Sequence, residues 1–266
     1  MSRFESKFAE LKTAGRKALV PFITAGDPSL ESTVPVMHAL VDAGADVIEL
    51  GVPFSDPMAD GPAIQRSSER ALKRGAGLRY VLDTVRAFRE RDADTPVVLM
   101  GYLNPVEIRG VERFAAEASA AGVDGLLLVD LPPEEAGDFR EALTAHGIAL
   151  ILLASPTTGD ERLQALLADA QGYLYYVSFA GVTGASERLD TQAASARLRR
   201  IRAGSAVPVV AGFGIRDAAS AAAMAVDADG VVVGSALVTA LEQVEGVDAA
   251  AARAGAFLAP LRAALD

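Results

Sequence analysis

Eight short apolar runs recur along the chain, each separated from the next by a longer amphipathic stretch, many of them rich in Ala. The runs are 18–24, 46–51, 96–102, 125–129, 148–154, 173–178, 208–211 and 230–233. Most are apolar on both faces instead of alternating, which is the pattern of strands covered on both sides. Strands joined by helices pair in parallel through right-handed crossovers. Eight such units can close on themselves, so the expected architecture is α/β: a (β/α)8 TIM barrel with an extra N-terminal helix and extra helices in the loops. An open doubly wound sheet is the alternative. The count of eight favours the barrel, as does the lack of a G-x-G-x-x-G after the first run. Barrels of about 250 residues form one domain, so residues 1–266 are expected to be a single barrel domain.

The stretches between the runs carry helix punctuation. Those at 30–43, 63–74, 111–121, 133–146 and 161–170 are each followed closely by a glycine: Gly44, Gly75, Gly122, Gly147 and Gly172. Glycine just past the last turn is a common helix stop. Pro132-Pro133 suits a helix start, and Gly75-Ala76-Gly77 reads as a joint between two helices. Further helices are expected at 193–202, 217–226 and 249–264. The first twelve residues, MSRFESKFAELK, place Phe4, Phe8 and Leu11 on one helical face, which reads as an amphipathic helix and not a signal peptide.

Composition removes several function classes. There is no Cys among the 266 residues, so thiolate nucleophiles, disulfides and Cys-bound zinc are excluded. The net charge of -10 argues against nucleic acid, whose phosphates call for a basic face. No window offers the ~18 apolar residues of a membrane helix. The cytoplasm is the expected location.

Barrel enzymes work at the C-terminal ends of their strands, so residues foreign to a core are informative there. Glu49 sits in the otherwise apolar Val47-Ile48-Glu49-Leu50-Gly51. It is either a general acid/base facing the barrel mouth or a structural carboxylate paired with an arginine. The following segment, Pro53 to Pro62, is long for such a loop and holds Asp56 and Asp60. Either could serve chemistry or the turn itself. Gly212-Phe213-Gly214 and Gly234-Ser235 follow the last two runs, where these barrels commonly hold phosphate on backbone N–H groups and a helix N-terminus. The small-residue segment 179–186 is either a closing lid or a plain surface loop. Asp130, Tyr102 and Tyr175 are weaker candidates near strand ends.

What is missing narrows the reaction. The four lysines, Lys7, Lys12, Lys17 and Lys73, avoid the strand C-termini, which disfavours a Schiff-base aldolase. His38 and His146 lie on helices, and neither is placed as a zinc ligand. Metal-free acid–base chemistry on a small phosphorylated substrate remains.

The motifs resemble those of the tryptophan synthase alpha chain family. They are PFITAGDP at 21–28, ELGVPFSDPMADGP at 49–62, AGVTG at 180–184, GFGI at 212–215 and VGSA at 233–236. The resemblance implies retro-aldol cleavage of indole-3-glycerol phosphate to indole and glyceraldehyde 3-phosphate. It implies Glu49 as the acid–base group and Asp60 as the partner of the indole N–H. Phe22, Ile64, Met100, Leu127 and Tyr175 would line the substrate site, with Thr183 on its lid. Gly184, Gly214, Gly234 and Ser235 would hold the phosphate. No metal and no cofactor would belong to this chain; pyridoxal phosphate would belong to a partner beta chain in an alpha2-beta2 complex, with Asp56, Pro57 and Pro132 at the interface. Phe179 departs from the basic residue found there in some members.

Overall fold

The structure, a computed structural model, describes residues 1–177, 191–212 and 214–266, and for residues 191–194 the backbone alone. Among the described residues there are nine strands: β1 (Ala18–Thr24), β2 (Ile48–Gly51), β3 (Val97–Gly101), β4 (Gly125–Leu128), β5 (Ala149–Leu150), β6 (Leu152–Ala154), β7 (Leu174–Val177), β8 (Val209–Gly212) and β9 (Gly230–Val233). Every pairing is parallel. The order across the sheet is β5-β4-β3-β2-β1-β9-β8-β7-β6. Its two edges, β5 and β6, are consecutive in the chain and separated only by Ile151, so the sheet curls into a nearly closed barrel. The run expected as one strand at 148–154 is therefore two. Its first half follows β4, its second half follows β7, and the Ile151 N–H still donates to the Leu126 carbonyl at 2.9 Å.

Among the described residues twelve α-helices accompany the strands: α1 (Arg3–Ala14), α2 (Thr33–Asp42), α3 (Pro62–Lys73), α4 (Leu78–Arg89), α5 (Leu103–Arg109), α6 (Val111–Ala121), α7 (Gly137–Ala145), α8 (Asp160–Asp169), α9 (Thr191–Gly204), α10 (Ala218–Ala225), α11 (Ser235–Leu241) and α12 (Val247–Ala263). The joint at 75–77 lies between α3 and α4, as its glycines suggest. The stretch 133–146 is not one helix: a 3-10 turn, Pro133–Glu135, precedes α7. The short α5 has no counterpart in the sequence reading. Asp130 explains its start, since its Oδ1 accepts the Leu103 N–H at 2.8 Å.

The alternation of side chains along each strand builds two cores. Leu19, Ile23, Ile48, Leu50 and Leu99 face outward onto the helices. Val20, Val47, Val98, Leu127, Tyr173 and Val232 fill the barrel interior. The N-terminal helix closes the floor. Its Phe4 and Leu11 join the interior core, and Phe4 meets the Tyr173 ring edge-on at 5.9 Å between centroids. Burying two such side chains stabilises the closure by roughly 3–6 kcal/mol. A capping box at Ser2 and Glu5 starts α1, and Gly15 at φ 69° ends it.

Candidate active site

Glu49 is the second residue of β2. It stands in register with Phe22 on β1 and Val98 on β3, and register partners in a parallel sheet share a face. Its carboxyl therefore points into the barrel, where it is wholly buried. The arginine partner that would make it structural is absent: no ion pair reaches Glu49 among the described residues. Two largely buried arginines serve other carboxylates, Arg262 with Asp46 at 2.9 Å and Arg89 with Asp124 at 2.7 Å. Instead, the Tyr173 hydroxyl donates to Glu49 Oε1 at 2.5 Å, and Oε2 is buried with no hydrogen-bond partner among the described residues. Burial pushes the Glu49 carboxyl up to about 7, and the Tyr173 bond pulls against that rise. Near neutrality the group is thus present in both protonation states, as a group that gives and takes protons should be.

Asp60 closes the long segment after β2 and directly precedes α3, whose cap is Gly61 and whose first residue is Pro62. Burial raises its carboxyl to about 6, against the pull of a hydrogen bond to the Tyr102 hydroxyl. The same hydroxyl accepts the Ala59 N–H at 3.0 Å, and the Tyr102 ring stacks on Phe54 at 5.1 Å. The two aspartates of the segment differ in kind. Asp56 is exposed, and its carboxyl accepts from the neighbouring Ser55 hydroxyl at 2.6 Å.

Asp60 lines a small cavity with Phe22, Ile64, Met100, Val52 and Tyr102. Leu127 and Tyr175 do not line it; both lie in the interior core. Tyr175 feels the Glu49 charge, which, after burial, raises its hydroxyl well above the ordinary value. The ring packs on Gly212 so closely that a Cβ there would sit 2.1 Å from the hydroxyl oxygen.

The glycine-rich turns after β8 and β9 rim the same mouth. Gly214 is exposed with φ 77°, a conformation that only glycine adopts freely. Gly234 is half-buried and precedes α11, which the exposed Ser235 opens. A Cβ on Gly234 would lie 3.6 Å from the Cβ of Phe22, so this turn adjoins the cavity wall. Thr183, Gly184 and Phe179 lie outside the described residues. Among the described residues no group of three or more His, Asp or Glu side chains is arranged to hold a metal ion. None of the described helices is long and apolar enough to cross a membrane.

Two residues of this site went unassigned in the sequence. Tyr173 precedes Tyr175 by two positions and so shares its inward face; a buried Glu49 also needs a donor. Together those signals point to it. Tyr102 stood out only as a strand-end residue, and its bond to Asp60 depends on how the loop folds back.

The chain matches the family model described as "Tryptophan synthase alpha chain" over residues 8–265. It is 74% identical over 266 residues to the tryptophan synthase alpha chain of Xanthomonas axonopodis pv. citri (strain 306), covering 100% of this chain and 99% of that one. With the alpha chain of Xanthomonas campestris pv. campestris (strain B100) it shares 71% over 264 residues, 99% and 97% of the two chains. Among solved structures, the tryptophan synthase subunit alpha of Legionella pneumophila str. Paris superposes with a TM-score of 0.92 at 45% identity, covering 100% and 99%. A tryptophan synthase structure from M. tuberculosis in an aminoacrylate-bound form superposes at 0.88 with 38% identity, covering 100% of both chains.

Proposed function

The chain belongs to the tryptophan synthase alpha chain family, and from that premise we propose that residues 1–266 act as one barrel domain. In this reading the domain cleaves indole-3-glycerol phosphate to indole and glyceraldehyde 3-phosphate with Glu49 and Asp60 as its working carboxylates. The observation that carries the reading is the state of Glu49: wholly buried, held by one tyrosine, with one oxygen unpartnered among the described residues and a carboxyl near 7.

The chemistry follows from what the bond cleavage needs. Indole leaves poorly as a carbanion, so C3 of the ring must gain a proton, and positive charge then appears at the ring nitrogen. Asp60, at about 6, is mostly ionised at neutral pH and opposes that charge, while accepting the N–H. Glu49 takes the proton of the glycerol hydroxyl and delivers it to C3, ending as the carboxylate it began as. The oxygen lone pair becomes the aldehyde C=O, and the bond to C3 breaks. Its electrons return to the ring, which leaves as neutral indole. Two carboxyls held about one pH unit apart by their surroundings suit these separate roles.

Phe22, Ile64, Met100, Leu127 and Tyr175 would wall the indole, with Thr183 above it. Backbone N–H groups at Gly184, Gly214 and Gly234, together with Ser235, would hold the phosphate. No cofactor or metal is needed from this chain. Indole would pass to a beta chain carrying pyridoxal phosphate, in an alpha2-beta2 complex that meets Asp56, Pro57 and Pro132, all borne on loops of the barrel's catalytic face. Indole release by the purified chain tests this. Slow release that rises when a tryptophan synthase beta chain is added supports a channelled subunit. Fast release indifferent to the beta chain contradicts the channelling, and no release contradicts the activity.

A further inference from the structure

We propose that Arg70 is a positioning residue which, with Asp27 and Glu242, braces α3 against α11. It thereby sets the separation between the indole-facing and phosphate-facing ends of the substrate site. This rests on the reading of the site given above.

Asp27 lies in the turn after β1, and its side chain is only 4% exposed. Arg70, on α3, meets it with both arms of the guanidinium, Nε to Oδ1 at 2.9 Å and Nη2 to Oδ2 at 2.8 Å. Arg74, one turn further, adds a longer contact at 3.4 Å. The remaining arm of Arg70, Nη1, reaches Glu242 Oε1 at 2.8 Å, and Arg66 reaches the same oxygen at 3.2 Å. Glu242 is the residue that ends α11. One guanidinium therefore joins three elements of the catalytic face.

An exposed ion pair would fix little. Here the acceptor is buried and the fork is bidentate, which imposes an angle as well as a distance. A second tie lies one turn earlier on α3, where the hydroxyls of Thr24 on β1 and Ser67 sit 2.6 Å apart. The face of α3 so fixed is the one whose first turn carries Ile64 and whose start follows Asp60. At the other side of the brace, α11 is a rod of about 10 Å. Ser235 opens it beside the cavity and Glu242 ends it at Arg70. Tilting this rod moves Ser235 and Gly234 relative to Asp60.

A ligand with an aromatic and a phosphate end feels that separation, whereas a ligand with one end does not. Misplacement by an ångström can cost about 100-fold in rate. The test compares the parent with Arg70→Lys, which keeps the charge and loses the fork, and with Glu242→Gln, which leaves the Asp27–Arg70 pair intact. For each, kcat and KM for indole-3-glycerol phosphate are measured, along with inhibition constants for indole alone and for sn-glycerol 3-phosphate alone. The brace predicts that kcat/KM falls by about tenfold or more while both one-ended inhibitors bind within about twofold of the parent. Should Arg70→Lys fail to fold, Glu242→Gln carries the comparison. Equal weakening of the substrate and both inhibitors would overturn the proposal, since that is a general loss of structure. So would an unchanged kcat/KM. A parent chain that itself releases no indole would overturn the reaction reading and the brace with it, and is recognised by the parent's own inactivity.

Discussion

The Tyr173 hydroxyl donates to Oε1 of Glu49 at 2.5 Å, while Oε2 of the same carboxyl stays buried and, among the described residues, unpartnered. The tyrosine rises from the floor of the barrel, where the Phe4 ring of the N-terminal helix packs against it. The pair thus connects the closure of the barrel floor to the protonation state of Glu49. Tyr173 stabilises the ionised form, and burial opposes it.

Tyr173→Phe removes that donor. The Glu49 carboxyl should rise further above 7, so the limb of kcat/KM that climbs as Glu49 ionises should move to higher pH, by about one unit. A pH–rate profile reads this directly. A limb that stays in place would mean that the bond is not kept in the active enzyme.

Glu49→Gln should change how stability depends on pH. The folded-state value, about 7, is raised above the ordinary 4.5. Stability contributed by the protonated form is therefore complete below about 4.5 and lost as pH rises through about 7. At pH 8 the parent carries a penalty of order 3 kcal/mol that the glutamine lacks. Urea unfolding should find the variant more stable at pH 8, with the gap shrinking towards pH 4. A gap independent of pH would contradict the raised value.

Asp60→Asn keeps the shape and removes the charge that the proposed mechanism sets against the indole nitrogen. Turnover should fall by about 100-fold, with KM changed less than kcat. Steady-state kinetics decide this, and an unchanged rate would assign Asp60 to the turn before α3 instead.

Gly51→Ala should disturb the proposed indole wall at Phe22. A Cβ there would lie 2.6 Å from Cζ of Phe22, so the ring must shift. Indole affinity, measured by inhibition, should weaken several-fold, by about 1 kcal/mol. Adding Phe22→Leu should restore part of it. No weakening in the single variant would show that the ring moves freely elsewhere.

Most of the barrel was legible because parallel strands covered on both faces leave continuous apolar runs, and the glycines after the helices marked their ends. The break at Ile151 was not legible. Strand pairing with β4 and then with β7 is a matter of register in space, and no residue in 148–154 announces it. The short α5 was hidden for a similar reason, since its cap, Asp130, comes from a different strand end. In the site, Glu49 stood out because a carboxylate in an apolar run is costly. Asp56 and Asp60 looked alike in sequence, and only burial separates them. The Asp27–Arg70–Glu242 contacts were invisible, because partners 43 and 172 positions apart leave no local pattern.

The central claim is that Glu49 moves the protons of the cleavage. It is tested most directly by indole release from saturating indole-3-glycerol phosphate, comparing the parent with Glu49→Gln, alongside equilibrium binding of the same substrate to both. The account predicts release by the parent, none measurable from the variant, and binding by both with similar affinity. A variant that still releases indole at the parent's rate would contradict it.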